Sequence, residues 1–403
     1  MAEPAQAAGA GGMSPAPQSH GVYVSSLTLT DFRSYSRTKI TPTGDHPLVV
    51  LAGPNGAGKT NVLEALSYLA PGRGLRRAPL EEVARQEATG PWAVAATLML
   101  DGEDIRVGTG LEGTKGEGAT RRLVKIDGEA ISSTNTLGDR WSVTWLTPQM
   151  DRLFIEGPSA RRRFLDRMVL GLYPDHSRQV GAYERVMRER NRLLGEKGMG
   201  ADMAWISALE TRMAEHAVAV AIARLDFAGQ LAGQLEAADE SPFPKALLAI
   251  DGWLEEQIAD GMAAVEAESA YRDKLVSLRA RDARSGRASE GVHKTDLIVT
   301  HAPKGMRGEL CSTGEQKALL IALVLANARL QAAQKGQAPL MLLDEVAAHL
   351  DEDRREALFS ALSSLGSQCW LTGTDRELFI GLEGRAEFFD VRDGKIQPLH
   401  TQG

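Results

Sequence analysis

The amino-acid sequence predicts an α/β fold: a mixed sheet with flanking helices, interrupted by an inserted, mostly helical lobe. Short apolar runs without alternation, at 48–52 and 340–343, have the length and composition of strands buried on both faces. A segment with helical apolar spacing follows each run. Residues 159–290 separate the two mixed segments and are rich in Ala, Leu, Arg and Glu, so a helical insertion is the simplest architecture.

The composition is that of an ordinary globular protein. Of 403 residues, 43% are hydrophobic and 25% are charged, which excludes wholly disordered, collagen-like and disulfide-scaffold chains. No apolar run approaches about 18 residues, so we expect no membrane-spanning helix, no membrane partner and a cytoplasmic location. The net charge is −7, and 34 of the 46 basic residues are arginine. Such a chain is not a bulk polyanion binder, although a local arginine patch is compatible with it.

Four segments follow from these patterns. Residues 1–20 lack a basic block and an apolar block, so we interpret them as a disordered tail and not as a signal peptide. Residues 21–158 and 295–403 are expected to form the two halves of an α/β head, and residues 159–294 a helical arm lobe. The two cysteines are predicted to be small buried residues in a reducing compartment, and the scattered histidines indicate no zinc site.

The predicted elements of the first half are mainly strands. Turns with Asp-Gly pairs at 101–102 and 127–128 are typical of hairpins. A helix is predicted after the second strand, at 61–69. The predicted strands are, in chain order, 22–30, 48–52, 93–100, 105–109, 121–126 and 130–131.

The lobe and the second half are predicted in the same way. Pro242 and Pro244 mark a break between helices of the lobe. Trp205, Met213 and Met203 have helical spacing and are predicted to lie in its core. The helices predicted for the lobe are 159–171, 177–195, 202–236 and 253–280. The elements predicted after it are helix 319–330, strand 340–343, helix 354–365 and strand 368–372.

A glycine-rich loop follows the strand at 48–52 and opens a helix, which is the context that a phosphate-binding loop requires. Its backbone N–H groups surround phosphate, and the helix N-terminus adds positive partial charge. We expect Lys59 to reach the β- and γ-phosphates of ATP and Thr60 to hold Mg²⁺. An ordinary glycine-rich turn is the alternative. The loop residues predicted to bind ATP are Gly53, Pro54, Asn55, Gly56, Ala57, Gly58, Lys59 and Thr60.

Two acidic residues end the apolar strand at 340–343. Asp344 is placed to hold Mg²⁺, and Glu345 is expected to orient and polarise the water that attacks ATP. A buried strand followed by a polar turn is the structural alternative. The upstream phosphate loop favours the catalytic interpretation.

A third motif, Ser-Thr-Gly-Glu at 312–315, lies just ahead of an apolar helix. Ser312 and Glu315 have the spacing of a capping box, which by itself is structural. However, a Ser-x-Gly-Glu helix start about 30 residues before an Asp-Glu strand resembles the signature motif of ABC-type ATPases. The resemblance implies an ABC-type ATPase head in which Ser312 and Gly314 bind the γ-phosphate of ATP held by a second subunit. Asp351 matches the D-loop of that superfamily, which crosses the dimer interface.

Further motifs resemble those of the RecF family, which is related to the SMC proteins. They are Thr-Asp-Phe-Arg-Ser-Tyr at 30–35, Gly-Arg-Gly-Leu-Arg at 72–76, Gly-Pro-Ser-Ala-Arg-Arg-Arg-Phe-Leu-Asp at 157–166, Arg-Asn-Arg-Leu-Leu at 190–194 and Val-His-Lys-Thr-Asp-Leu at 292–297. The resemblance covers nearly all of residues 22–395. It implies an ATP-dependent homodimer that binds single- and double-stranded DNA at gaps or junctions. It also implies slow, DNA-stimulated ATP hydrolysis, cooperation with RecR in loading RecA, and support of SOS induction.

Several single residues carry roles through this resemblance, each with an alternative. Gln149 lies where ABC-type ATPases carry a glutamine that touches Mg²⁺ and water; the alternative is a solvated loop residue. Arg33 is expected to approach the nucleotide; the alternative is a salt bridge. Thr372 or Thr374 is a candidate for contacting the γ-phosphate. The arginines at 73, 76 and 77, and at 161–163 and 167, are candidates for nucleotide or DNA-backbone contacts, the latter group also for a solvated face.

Other functions are less compatible with the sequence. Ser312 lies 252 residues after Thr60, which leaves no room for the long heptads of true SMC proteins. An ABC-type energy module acting on another partner, such as a membrane protein, is the main alternative, but transporter ATPases have a shorter insert and a histidine after the last core strand. An ATPase of the overcoming-lysogeny kind is expected to need an added nuclease domain beyond Asp351.

Overall fold

The computed structural model describes residues 21–112, 121–237 and 241–399, so the predicted tail at 1–20 lies outside the described residues. The strands are β1 (Tyr23–Phe32), β2 (Tyr35–Ile40), β3 (Leu48–Ala52), β4 (Ala93–Leu100), β5 (Glu103–Glu112), β6 (Arg121–Ile126), β7 (Glu129–Ala130), β8 (Val143–Leu146), β9 (Ala246–Asp251), β10 (Asp296–His301), β11 (Met306–Arg307), β12 (Leu340–Leu343), β13 (Cys369–Gly373), β14 (Ala386–Arg392) and β15 (Lys395–Leu399). The helices are α1 (Lys59–Ser67), α2 (Asn135–Arg140), α3 (Pro158–Leu172), α4 (His176–Lys197), α5 (Met203–Ala237), α6 (Trp253–Ala259), α7 (Ala264–Ser285), α8 (Thr313–Lys335) and α9 (Glu352–Ser363).

Each predicted element has a counterpart in the structure, with two differences in the lobe. Outside the lobe, the elements that were not predicted are β2, β8, β10, β11, β14, β15 and α2. The single helix predicted at 253–280 is wrong, because α6 and α7 are separated by a turn in which Gly261 has a φ of +98°. The strand β9 was not predicted; it lies in the segment assigned to the helical lobe and pairs with β10. Met213 is buried as expected, whereas Trp205 is 52% exposed and is not a core residue. Both cysteines are buried and free.

Strands of the described residues form three sheets. A mixed sheet has the order β15-β14-β3-β13-β12-β8, in which every pairing except β14 with β15 is parallel. A second, antiparallel sheet has the order β2-β1-β4-β5-β6-β7, and a small third sheet has the order β11-β10-β9. Because β3, β13, β12 and β8 run parallel, their carboxyl ends lie along one edge of the mixed sheet.

The mixed sheet separates two hydrophobic cores. Side chains alternate along its strands: Leu48 and Val50 of β3 belong to one core, whereas Val49 and Leu51 belong to the other. The first core contains residues of α3, α5, α8 and α9; the second contains α1 and the antiparallel sheet. The helices α1 and α8 therefore pack on opposite faces of the mixed sheet.

Buried ion pairs hold the helical lobe to itself and to the head. Arg190 of α4 is fully buried and donates to Glu210 at 2.9 Å and Asp282 at 2.8 Å. Arg161 of α3 pairs with Asp296 of β10, with both guanidinium–carboxylate distances at 2.7 Å. Such bidentate pairs satisfy charges that would be costly to bury alone. No helix in the described part of the chain is long and apolar enough to cross a membrane.

A buried histidine in the lobe predicts a dependence of stability on pH. His293 lies 2.8 Å from the Tyr183 hydroxyl and 3.1 Å from the Ala288 carbonyl, and burial lowers its pKa from 6.5 to about 4. Between these values the unfolded chain binds the proton more strongly, so this contribution to stability is complete above pH 6.5 and is lost as the pH falls towards 4. The slope is at most about 1.4 kcal/mol per pH unit.

Urea unfolding between about pH 7 and about pH 5 measures this slope. We expect the variant His293→Gln to lose it, because glutamine does not titrate. The exposed His349→Gln variant is the matched control and should keep the wild-type slope. Equal slopes in wild type and His293→Gln would show that the buried imidazole is not responsible.

Candidate functional site

The candidate site lies at the carboxyl edge of the mixed sheet. The glycine-rich loop follows β3, Asp344 and Glu345 follow β12, and Gln149 lies on a short 3-10 turn after β8. The Asp344 N–H donates to the Leu146 carbonyl at 2.8 Å, which ties the ends of these two strands together. Residues separated by hundreds of positions in sequence thus meet at one edge.

The loop between β3 and α1 has a backbone that only glycine adopts without strain at its two ends. Gly53 has a φ of +156°, and a β-carbon there would lie 2.1 Å from the Val391 carbonyl oxygen. Gly58 has a φ of +111°, and a β-carbon there would lie 2.6 Å from the Tyr35 hydroxyl. Both positions therefore require glycine for steric reasons, and an ordinary exposed turn would not impose this requirement.

Lys59, the first residue of α1, is buried beneath this loop. Its ammonium donates to the Gly53 carbonyl at 2.7 Å and to the Pro54 carbonyl at 2.8 Å. Burial lowers the pKa of Lys59, whereas the nearby carboxylates of Glu345 and Asp344 raise it. The side chain is therefore held folded across the loop, with positive charge close to the N-terminus of α1.

Thr60 and Asp344 form a hydroxyl–carboxylate pair. The Thr60 hydroxyl donates to the two carboxylate oxygens of Asp344, at 2.9 and 3.1 Å. Both are oxygen ligands, and Mg²⁺ prefers one or two such protein groups together with substrate phosphates and water. Groups of three or more His, Cys, Asp or Glu side chains placed to hold a metal are absent from the described ranges. The residues present fit Mg²⁺ held jointly with a phosphate ligand.

Thr372, at the end of β13, holds both acidic residues. Its hydroxyl donates to Asp344 Oδ1 at 2.7 Å and accepts the Glu345 N–H at 2.9 Å. Glu345 has a φ of +52°, in the left-handed region, which this hydrogen bond supports. Thr372 was one of two candidates for contacting the γ-phosphate, and its hydroxyl instead bonds the two acidic residues that follow the neighbouring strand β12. Thr374 is exposed and remains a prediction.

A double-mutant cycle tests this arrangement. Thr372→Val removes the hydroxyl at nearly constant volume and leaves the Glu345 N–H without its acceptor, so we expect a loss of about 1–3 kcal/mol in the free energy of unfolding. Combined with Thr60→Val, the two losses should couple by about 0.5–3 kcal/mol, because both hydroxyls serve the same carboxylate. Thr372→Ser, which keeps the hydroxyl, is the control. Strictly additive losses would mean that the two hydroxyls act separately.

The signature residues lie at the N-terminus of α8, on a different surface. Ser312 and Gly314 are exposed, and the Ser312 N–H and hydroxyl both donate to Glu315 Oε2 at 2.9 Å. The predicted capping box is confirmed. Lys304 pairs with Glu315 and, together with the hydrogen bonds from Ser312, lowers the pKa of that carboxyl to about 2. A carboxylate therefore balances the positive helix terminus at this surface.

Asp351 immediately precedes α9 and also lies on the surface. Its carboxylate accepts the Arg354 N–H at 2.9 Å, which is a helix cap. Gln149 is exposed as well. The roles predicted for Ser312, Gly314, Asp351 and Gln149 in nucleotide binding stay predictions, because each of these side chains faces outward.

Arg33 forms a salt bridge, which was the alternative to a nucleotide contact. Its guanidinium donates to the two carboxylate oxygens of Glu64, at 2.8 and 2.5 Å, and to the Glu82 carbonyl at 2.7 Å. Arg76 donates to the same Glu64 at 2.5 Å. The hydrogen bonds to the Glu64 carboxylate raise the pKa of Arg33. The structure thus shows a salt bridge, and a nucleotide contact by Arg33 stays a prediction.

Sequence reasoning missed one important residue, Glu64, and predicted a different role for another, Thr372. Glu64 is completely buried on α1 and forms ion pairs with Arg33 and Arg76. The apolar residues around it in sequence have ordinary helical spacing and do not indicate these ion pairs. Neither has a local signal, because their partners come from other strands and loops.

The chain is similar over nearly its whole length to known proteins. Residues 23–397 match the family described as the RecF/RecN/SMC N terminal domain. The chain is 47% identical over 375 residues to the DNA replication and repair protein RecF of Allorhizobium ampelinum, with 93% of this chain and 98% of that relative covered. It is 46% identical over 379 residues to the protein of the same name from Rhizobium meliloti, with coverages of 94% and 99%.

Solved structures agree with the predicted fold. A recombination mediator protein RecF of the RecFOR pathway, in a complex named RecF-ATPrS, has a TM-score of 0.81 at 19% identity, with 95% of this chain and 100% of that chain covered. An Smc head domain from Pyrococcus furiosus has a TM-score of 0.51 at 15% identity, with coverages of 94% and 96%. At these identities the likeness concerns the fold, and the predicted ABC-type ATPase head with an inserted lobe is confirmed.

Proposed function

We propose, on the premise that the chain belongs to the RecF family of the RecF/RecN/SMC ATPases, that it is an ATP-dependent DNA-binding protein of replication and repair. ATP closes a homodimer on DNA, and slow hydrolysis reopens it. The observation that carries the proposal is the edge of the mixed sheet, where Lys59, Thr60, Asp344, Thr372 and Glu345 meet. This set has the residues that phosphoryl-group hydrolysis requires.

The chain's own residues divide the work in the following way. The loop N–H groups and the N-terminus of α1 bind the phosphates, and Lys59 exchanges its loop carbonyls for the β- and γ-phosphates. Thr60 and Asp344 would hold Mg²⁺, which would supply positive charge next to the phosphate oxygens. Glu345 orients the attacking water and accepts its proton, and Thr372 keeps the Glu345 backbone in its left-handed conformation. Gln149 completes the site beside the water.

The two faces of the mixed sheet support a shared site in a dimer. The phosphate-binding helix α1 packs on one face, whereas α8 with Ser312 and Gly314 packs on the other. In one chain these two helix N-termini serve different surfaces. In a homodimer, Ser312 and Gly314 of one protomer face the γ-phosphate held by its partner, and Asp351 lies at the same interface.

Membership of the family supports more specific proposals about DNA structures and protein partners. The relatives are named for DNA replication and repair, and one solved relative is a recombination mediator of the RecFOR pathway. We therefore propose that the chain binds single- and double-stranded DNA at gaps or junctions, cooperates with RecR in loading RecA, and supports SOS induction. Its ATP hydrolysis is weak and stimulated by DNA, because it serves as a timer. An energy module for another partner remains the alternative.

DNA binding with and without ATP, at about 50 and about 200 mM salt, tests this function. We expect binding to increase with ATP and to weaken steeply with salt, and light scattering should show an ATP-dependent dimer. A protein that hydrolyses ATP but binds neither single- nor double-stranded DNA in any nucleotide state would refute the proposal and favour the energy module. ATPase activity that responds to membranes and not to gapped DNA would do the same.

A further inference from the structure

A cleft of about 580 Å³ separates the loop at 71–77 of the head from α3 and α4 of the lobe. Four arginines line it among the residues that the structure describes: Arg73 and Arg77 from the loop, and Arg163 and Arg167 from α3. Gln149 lines the same cleft, so it opens beside the candidate ATP site. The phosphate-binding residues Lys59 and Thr60 do not line it.

These arginines differ from their neighbours in lacking acidic partners. Arg161 is committed to Asp296, and Arg162 donates to the Thr295 carbonyl at 2.8 Å. By contrast, across the described ranges no carboxylate lies within 4.0 Å of the guanidinium groups lining the cleft. The ion pairs in that part of the chain include Arg33, Arg76 and Arg161 but none of Arg73, Arg77, Arg163 and Arg167.

The acidic residues that line the cleft are mostly engaged elsewhere. Asp166 accepts from Arg224 at 2.9 Å and lies 2.9 Å from His176 Nε2. Glu184 lies 3.4 Å from Arg188, and Glu156 is exposed at the rim. The cleft therefore keeps a local excess of positive charge in a chain whose net charge is −7.

Arg167 lines the cleft and packs against an aromatic ring. Its guanidinium carbon lies 4.5 Å from the centre of the Trp145 ring, and its Nη2 donates to the Met150 sulfur at 3.4 Å. Burial and the positive charge of Arg77 lower the pKa of Arg167 to about 10. Arg77 and Arg167 thus line the same cleft without a carboxylate partner, an arrangement that a bound anion would stabilise.

The loop that carries the other two arginines is fixed in place. The Leu75 N–H donates to the Ser67 hydroxyl at 2.8 Å, and Arg122 donates to the Gly72 carbonyl at 2.6 Å. Arg77 has a φ of +55°, a left-handed conformation that a non-glycine residue adopts at some cost. Hydrogen bonds to the rest of the head therefore fix the backbone of the loop that places Arg73 and Arg77 at the cleft.

We propose that this cleft binds the phosphate backbone of a single strand of nucleic acid. Planar guanidinium groups match phosphate oxygens in pairs, and four groups spread over a loop and a helix suit a ligand with several phosphates. Arg163 and Arg167 are neighbours on one face of α3, one turn apart. A cleft of this volume is of the size that takes a small ligand, so a few nucleotides of one strand fit it better than a duplex. The proposal rests on the DNA binding proposed above and assigns it to this cleft.

The test compares two pairs of substitutions that remove equal charge. Arg77→Gln with Arg163→Gln removes two exposed arginines of the cleft, whereas Arg212→Gln with Arg272→Gln removes two exposed arginines of α5 and α7 that do not line it. The probe is a labelled single-stranded oligonucleotide of about 12 nucleotides, with ATP present. We expect the cleft pair to lose about tenfold or more in affinity, and its salt slope to fall by about 1.4, at about 0.7 per phosphate contact. The control pair should match wild type.

Further arms keep the result unambiguous. Arg77→Lys with Arg163→Lys retains charge and should keep the salt slope; if its salt slope falls as far as that of the glutamine pair, the proposal is overturned, because loss of charge would not explain the change. Equal losses in the cleft and control pairs also overturn it. If pyrophosphate binding is lost while the oligonucleotide still binds normally, the cleft is a small-anion site and the proposal fails. A wild-type protein that binds no DNA defeats the proposed function as well, whereas normal binding by the cleft pair defeats the cleft alone.

Discussion

The variant Glu345→Gln should bind ATP like the wild type and hydrolyse it at least about 100-fold more slowly. Glutamine keeps the shape of the side chain and its hydrogen-bonding oxygen, but it cannot accept the proton of the attacking water. The Glu345 N–H would still donate to Thr372, so the backbone of the site should be unchanged. Because hydrolysis reopens the proposed dimer, the closed dimer should persist in ATP.

Single-turnover hydrolysis and light scattering in ATP measure the two effects separately. The matched control is Glu266→Gln, which removes the same charge from the exposed first turn of α7. It should hydrolyse ATP at the wild-type rate. A Glu345→Gln protein that stays monomeric under saturating ATP would contradict the timer, and undiminished hydrolysis would mean that another group acts as the base.

The second large effect concerns Ser312→Arg, which should prevent ATP-dependent dimerisation while leaving ATP binding by the monomer intact. Ser312 is exposed at the N-terminus of α8, where a small hydroxyl and the helix dipole are expected to meet the partner's γ-phosphate. An arginine places a bulky side chain at the facing surface. Lys59→Met should instead abolish stable ATP binding, because it removes the ammonium group that offsets phosphate charge.

Mixing these two variants distinguishes a shared site from two separate sites. In the heterodimer, one composite site combines the intact Lys59 of the Ser312→Arg chain with the intact Ser312 of the Lys59→Met chain; the other site carries both defects. If one complete site is enough for closure, the mixture should regain part of the ATP-dependent dimer that neither variant forms alone. Light scattering of the separate and mixed proteins gives the answer.

A substitution elsewhere controls for the added arginine. Ser364→Arg places the same side chain at an exposed serine that ends α9, and it should dimerise normally. If the Ser312→Arg protein dimerises in ATP to the same extent as the wild type, the motif is only a capping box, formed by the hydrogen bonds between Ser312 and Glu315. The dimer part of the proposed function would then fail, although ATP binding at Lys59 would not.

The sequence alone determined the features that depend on neighbouring residues. The phosphate loop, the strand that ends at Asp344 and the capping box at Ser312 are short patterns whose backbone geometry is set by glycines, apolar runs and cap residues. The long helices of the lobe were predicted from their spacing for the same reason. Local chemistry also explains why the glycine at 261, which divides a predicted helix, could have been recognised as a break.

Only the tertiary structure decided which distant residues meet. Thr372 serves Asp344 because β13 lies beside β12, and Arg33 is bound by Glu64 because the first hairpin packs against α1. Strand β9 could be recognised only from its pairing with β10. The packing of α3 directs Arg161 to Asp296, whereas it places Arg163 and Arg167 at the cleft. These contacts join segments of high sequence separation, and their energies come from burial and charge pairing that no local pattern records.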